Sequence, residues 1–166
     1  MITNSSVAIF LNGPIGSGKS TLGSMLAAKL GGTFIDGDEH SDQTKVWFAS
    51  SLSTARSIAR TVSEEAARGR AVVVAYPLRC LEWIFYSRRL AEMDLKTIFV
   101  SLQSTYDAIA DPGRGRSFSA DELRRVNEMI DQGYGHRSFS DLFVDTGTVG
   151  PDESLQVLFK ALKALG

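Results

Sequence analysis

The chain has 166 residues, enough for one compact domain that buries most of the apolar surface its unfolded form exposes, and a second domain is not expected. Eighteen Lys and Arg stand against nineteen Asp and Glu, a net charge of −1, which excludes a global field drawing the chain to nucleic acid or an anionic membrane. Cys80 is the only cysteine, so neither an intrachain disulfide nor a cysteine zinc cluster is available, and the early apolar run is too short for a membrane span and lacks the flanks of a signal peptide. A cytoplasmic setting follows as the expectation.

Short β-branched runs alternate with segments of helical period, the pattern of a parallel sheet covered by helices on both faces. The strands expected in chain order are Val7 to Leu11, Thr33 to Ile35, Ala71 to Ala75, Thr97 to Leu102 and Leu142 to Val144. Helices are expected over Lys19 to Leu30, closed by Gly31-Gly32; over Thr54 to Arg68, closed by Gly69; and over Leu81 to Met93. Ser119, followed by Asp121 and Glu122, caps another that runs to about Gln132, and Pro151 with two acids opens the last. "DPGRGRSF", Asp111 to Phe118, is the least regular stretch and a candidate mobile loop.

Between the first strand and first helix stands "NGPIGSGKST". Gly13, Gly18, Lys19 and Ser20 fill every fixed position of GxxxxGK[ST], in the strand-to-helix context that this phosphate cradle requires. Glycines let backbone N–H groups turn inward, and the helix N-terminus favours negative charge. The stretch Gly13, Pro14, Ile15, Gly16, Ser17, Gly18, Lys19, Ser20 and Thr21 is therefore expected to bind ATP, with Lys19 on the β and γ phosphates and the Ser20 hydroxyl on Mg²⁺. No NKxD or DxxG sequence is present, which disfavours a GTPase, and the third strand runs into Tyr76-Pro77-Leu78-Arg79 rather than an acid, which disfavours a motor or transport ATPase.

The second strand ends "FIDGDEH". Asp36 and Asp38 thus stand at the carboxyl edge, where open parallel sheets bind ligands, spaced so that both carboxylates point to one side. With the arginine-bearing segment after the fourth strand and "VDT" before the last helix, the chain resembles the shikimate and gluconate kinase group of small P-loop kinases over most of its length. That resemblance implies a three-layer α/β fold spanning residues 1–166 as one domain, with a five-stranded parallel sheet and an arginine-bearing lid at about 111–118. It also implies that Asp36 helps hold Mg²⁺ through water, and that Asp38 contacts and deprotonates the acceptor hydroxyl. A carboxylate within hydrogen-bond reach is what an alcohol needs to act as a nucleophile at neutral pH.

Arg114 and Arg116, flanked by Gly113 and Gly115, suit a lid that brings positive charge over the transferred group, Arg116 as the catalytic contact and Arg114 on the nucleotide. The resemblance also implies that "DTGTVGPDES" borders the adenine. Where shikimate kinases carry a glycine triplet after the third strand, this chain has "AYPLRC"; Pro77-Leu78-Arg79 stands nearer the small residue, leucine and lysine of gluconate kinases. The segment Gln43 to Arg60, with Trp47, Arg56 and Arg60, is expected to build much of the acceptor pocket; Arg56 and Arg60, one helical turn apart, and Arg79 are candidate anion-binding residues, and Arg137 loosely resembles the arginine that shikimate kinases place before their last strand. Trp83 and Tyr86 suit core or pocket wall, and His40 and His136 suit ordinary polar roles.

The expected activity is thus phosphorylation, by MgATP, of a hydroxyl on a small polar, anionic metabolite, without nucleic acid or membrane partners, by a monomer or weak homodimer. Two alternatives stand beside it: a nucleotide kinase whose arginines clamp an acceptor phosphate, and an ATP-binding regulatory protein without phosphoryl transfer.

Overall fold

The computed structural model describes residues 7–41, 44 and 47–166. Its elements run β1 (Val7–Asn12), α1 (Lys19–Leu30), β2 (Thr33–Asp36), α2 (Trp47–Ala67), β3 (Val72–Ala75), α3 (Cys80–Ala91), β4 (Lys96–Gln103), α4 (Tyr106–Ala110), α5 (Ala120–Asp131), β5 (Leu142–Asp145) and α6 (Pro151–Leu165), with single turns of 3-10 helix at Gly37–His40 and Pro112–Arg114. All strands are parallel, in the order β2-β3-β1-β4-β5.

The central strand divides the core. Val7, Ile9 and Leu11 of β1 pack with Leu22 and Leu26 of α1 and Leu158 and Leu162 of α6. Ala8 and Phe10, on the opposite pleat, pack with Ile58 and Val62 of α2 and Tyr86 and Leu90 of α3. Both pleat directions of β1 and β3 find a helix layer, which is why their sequences are continuous apolar runs rather than alternating ones. The three-layer α/β architecture expected from the sequence is the one observed.

Local chemistry sets the helix ends. α1 stops at Gly31, φ +62°, and α5 starts from a capping box in which Ser119 Oγ accepts from Glu122 N at 3.2 Å while Glu122 Oε2 accepts from Ser119 N at 2.8 Å. α2 begins at Trp47 rather than Thr54, through a serine-rich turn whose propensity is poor but whose Ser50 and Thr54 are buried. α4 is absent from the sequence expectation. Thr105 caps it, its Oγ1 accepting from Ala108 N at 3.2 Å. Part of the stretch expected to be a mobile loop is a regular turn, in which Asp111 Oδ1 accepts from Gly113 N at 2.9 Å and Gly115 N donates to Pro112 O at 3.1 Å.

Parallel strands bring all five carboxyl ends to one edge, and the glycine-rich bend, the Asp36–Asp38 turn, Tyr76 and the segment after Asp145 follow strands there. Asn12, fully buried at the end of β1, braces that edge: its Oδ1 accepts from Leu78 N at 2.7 Å and its Nδ2 donates to Tyr134 O at 2.8 Å.

Candidate active site

The glycine-rich bend from β1 to α1 takes a left-handed backbone at Gly16 (φ +79°) and Gly18 (φ +93°), a conformation that a side chain would strain. α1 then opens with no acidic residue in its first turn, leaving its N-terminal N–H groups to an anion. Lys19 lies across the bend, its Nζ donating to Gly13 O at 2.9 Å and Pro14 O at 2.8 Å. Its pKa is lowered to about 8, chiefly because its surroundings exclude water and in part because of Arg116, against the opposing pull of the Asp38 and Asp36 carboxylates. Ser17 Oγ is buried beneath the bend without a hydrogen-bond partner.

Next to this cradle, Ser20 Oγ donates to Asp36 Oδ2 at 3.1 Å, and Asp36 Oδ1 accepts from Asp38 N at 3.1 Å. Metal-candidate hydroxyl, metal-candidate carboxylate and acceptor-candidate aspartate therefore form one connected chain. Gly37 fixes its turn, because a Cβ there would lie 2.4 Å from Cδ2 of Tyr76, the residue that follows β3. Partial burial and the neighbouring Asp36 carboxylate both raise the pKa of Asp38, against the opposing pull of Lys19 and Arg116. Gly37→Ala is expected to displace Asp38 and cut acceptor turnover by about a hundredfold while ATP affinity changes only a few-fold; steady-state kinetics beside nucleotide titration checks the split.

A cleft of about 400 Å³ is lined by Gly16, Lys19 and Asp38, by Ile109, Arg114, Arg116, Phe118 and Glu122, and by Thr146, Val149, Pro151 and Ser154. Both candidate lid arginines border it. Arg116 lies over the Phe118 ring, 4.6 Å from its centroid, and meets Glu122 Oε1 at 3.4 Å. Arg114 donates to Thr146 O and to Ala108 O at 3.4 Å, and Thr146 Oγ1 in turn donates to Ser17 O at 2.7 Å, which joins the segment's root to the phosphate cradle. Thr146, Val149, Pro151 and Ser154, from the segment expected near the adenine, line the same cleft.

The candidate anion-binding arginines are not brought together. Arg79 is held by Glu82, its Nε 3.1 Å from Oε2 and 3.2 Å from Oε1. Arg137 donates from Nε to Leu78 O at 3.1 Å and from Nη1 to Gln132 O at 2.9 Å, with its guanidinium 4.1 Å from the Tyr134 ring centroid. Arg56 and Arg60 are exposed on α2, away from the buried row of Ile58 and Val62. Gln43, which opens the expected acceptor segment, lies outside the described residues. Tyr86 is core, and Trp83 stacks on Phe139 with centroids 5.3 Å apart. His40 Nδ1 meets Ser57 Oγ at 2.8 Å, and His136 Nδ1 meets Gln103 Nε2 at 2.8 Å.

Several cleft residues had escaped the sequence reading. Phe118 and Glu122 were legible only as a lid end and a helix cap, Ile109 belongs to the unexpected α4, and Ser154 is a buried hydroxyl without a partner at the base of α6. The donor set suits what the motif implies. A hydroxyl and a carboxylate 3.1 Å apart, a half-buried lysine and an acid-free helix start fit Mg²⁺ and a triphosphate.

Comparison with solved structures then places the architecture. A gluconokinase from Sinorhizobium meliloti superposes with a TM-score of 0.76 at 19% identity, covering 98% of this chain and 94% of that one. The fold is that of the small P-loop kinases. This kinase fold is shared with the Mycobacterium tuberculosis APS kinase solved in complex with AMPPNP and APS (TM-score 0.70, 17% identity, 96% and 99% covered). It is shared too with a shikimate kinase from Bacteroides thetaiotaomicron (TM-score 0.63, 21% identity, 95% and 98% covered). The shikimate kinase family model matches residues 15–52, the span holding most of the phosphate cradle and both aspartates. No curated protein matches the sequence. The resemblance read from the motifs is thus borne out, and among the described residues no helix is long and apolar enough to cross a membrane.

Proposed function

We propose that the chain is a kinase transferring the γ-phosphoryl group of MgATP to a hydroxyl of a small polar metabolite. One observation carries the reading: the Ser20–Asp36–Asp38 chain of hydrogen bonds, laid beside a complete phosphate cradle, with Ser20, Asp38 and the cradle lining one cleft. ATP sits along the cleft in this reading, its phosphates on the cradle N–H groups and Lys19, its base beside Val149 and Pro151. Mg²⁺, when bound, screens the phosphate charge and orients the transferred group. Ser20 contributes a hydroxyl to that site and Asp36 a carboxylate through water. Asp38 accepts the acceptor's hydroxyl proton, and its raised pKa makes it a better base than an ordinary aspartate. Arg116, released from Glu122, turns its charge to the γ-phosphoryl oxygens.

The test is ADP release from MgATP with single acceptors spanning shikimate, gluconate, other sugar acids, polyols and nucleoside monophosphates, using Lys19→Ala as the blank. Turnover with one acceptor well above the blank is the expected result. ATP binding with no acceptor-dependent release would instead favour a nucleotide-binding protein without transfer. Preference for nucleoside monophosphates would favour a nucleotide kinase, for which Arg79 would have to leave Glu82.

A further inference from the structure

Resting on the kinase reading above, we propose that Phe118 is a positioning residue for phosphoryl transfer: seated on the phosphate bend at Gly16, its ring holds the Arg116 guanidinium by one face and leaves the edge N–H groups to the transferred group. Gly16 fills a variable position of GxxxxGK[ST], so the motif alone does not call for it. Its surroundings do. A Cβ on Gly16 would lie 2.6 Å from Cγ2 of Ile109 and 2.8 Å from Cζ of Phe118, so both side chains rest directly on the bend. Ile109 is buried in α4. Immediately after the ring, the Ser119–Glu122 capping box fixes the chain at the start of α5. Phe118 is thereby held from two sides, by the cradle and by a helix cap.

Arg116 has no comparable seat of its own. It follows Gly115, whose φ is +74°, and its side chain is about half exposed. Two contacts hold its guanidinium: the Phe118 ring, with the centroid 4.6 Å away, and Glu122 Oε1 at 3.4 Å. The two differ in what they demand of the cation. The carboxylate occupies an N–H donor and so competes with phosphate, but the pair is long and exposed, hence weak. The ring takes only the face of the planar cation, and the stack persists while the edge donors turn to phosphate oxygens. Arg116 is already within electrostatic reach of both reacting sides, since it lowers the pKa of Lys19 and opposes the rise at Asp38. Arg114 is no substitute, because Thr146 O and Ala108 O hold it. Transfer in this reading exchanges Glu122 for phosphate oxygens while Phe118 keeps the cation over the cradle.

Phe118→Leu tests the role, because it keeps an apolar contact with the bend and removes the ring face. Transfer is read as ADP release from saturating MgATP, first with water as the acceptor and then with each acceptor of the panel above. Nucleotide binding is read by calorimetric titration with MgADP, which lacks the transferred group. The variant is expected to lower the transfer rate about tenfold, with MgADP affinity and melting temperature close to those of the parent. In an Arg116→Ala background the same substitution should have no further effect, because the ring acts through the arginine. A packing or water-excluding role would give independent losses instead. Should the leucine variant fail to fold, Phe118→Met, also apolar and without a ring, carries the same expectations.

Parent-like transfer in the ring-less variant, a loss of MgADP affinity as large as the loss of transfer, or additive losses in the double variant would each overturn the inference while leaving the kinase reading in place. A parent that transfers the phosphoryl group neither to water nor to any acceptor would overturn both.

Discussion

Asp38→Asn is expected to lower kcat by about a hundred- to ten-thousand-fold while leaving ATP affinity within a few-fold, because the amide keeps the shape of the turn but cannot take the acceptor's proton. The backbone N–H of residue 38 still donates to Asp36, so the metal-side carboxylate stays in place. The pH profile provides a second check. With its pKa raised above the ordinary 3.8, Asp38 should give an acid limb in kcat displaced upward from that of an unperturbed aspartate, and the variant should lose that limb. Stability moves the other way. The folded chain holds this proton more tightly than the unfolded chain, so ionisation opposes folding as pH rises from 3.8 through the raised value. At neutral pH the variant should therefore melt at or above the parent temperature, and the difference should vanish in acid below 3.8. Parent-like turnover would remove Asp38 from the role of base.

Lys19→Ala is expected to weaken ATP binding by about 2 kcal/mol, or roughly thirtyfold, and to reduce turnover as well, because the ammonium touches phosphate both before and during transfer. The lysine's surroundings add a less obvious outcome. Without nucleotide, burial brings its pKa to about 8; phosphate oxygens replacing Gly13 O and Pro14 O would raise it again. Nucleotide affinity should then be level below pH 8 and decline above it, with an uptake approaching about half a proton per nucleotide at pH 8. Calorimetric titrations in two buffers of different ionisation enthalpy would measure the uptake. The alanine variant should show none from this source. Equal heats in the two buffers would mean that Lys19 is already fully charged in the free protein.

The layers of the fold were readable because β1 and β3 are buried on both sides and so appear as unbroken apolar runs, while Gly31 and the Ser119–Glu122 box mark helix ends by local chemistry. α4 was not readable, since five residues hold too little periodicity for a helix signal. The phosphate cradle was legible for a related reason: backbone geometry defines it, and its glycines declare that geometry in the sequence. The acceptor side depends on distant side chains. Nothing near Gly37 announces Tyr76 as the surface on which the turn rests. The arginines were visible as cations, yet their partners decide whether that charge is available. The Arg79–Glu82 pairing lay within one helical turn, where the capping pattern could have found it; the carbonyls that hold Arg137 could not be found that way.

The amide of Asn12 touches the turn after β3 with its oxygen and the chain after α5 with its nitrogen. Both contacts are buried, and only a side chain offering one donor and one acceptor on a short stem serves them together. A brace of this kind makes the rim of the sheet behave as a keystoned arch: the acceptor side and the phosphate side cannot loosen separately, because each leans on the same stone. On heating, the loss of catalysis would then coincide with the collapse of the whole molecule, with no interval in which an intact body carries a softened rim.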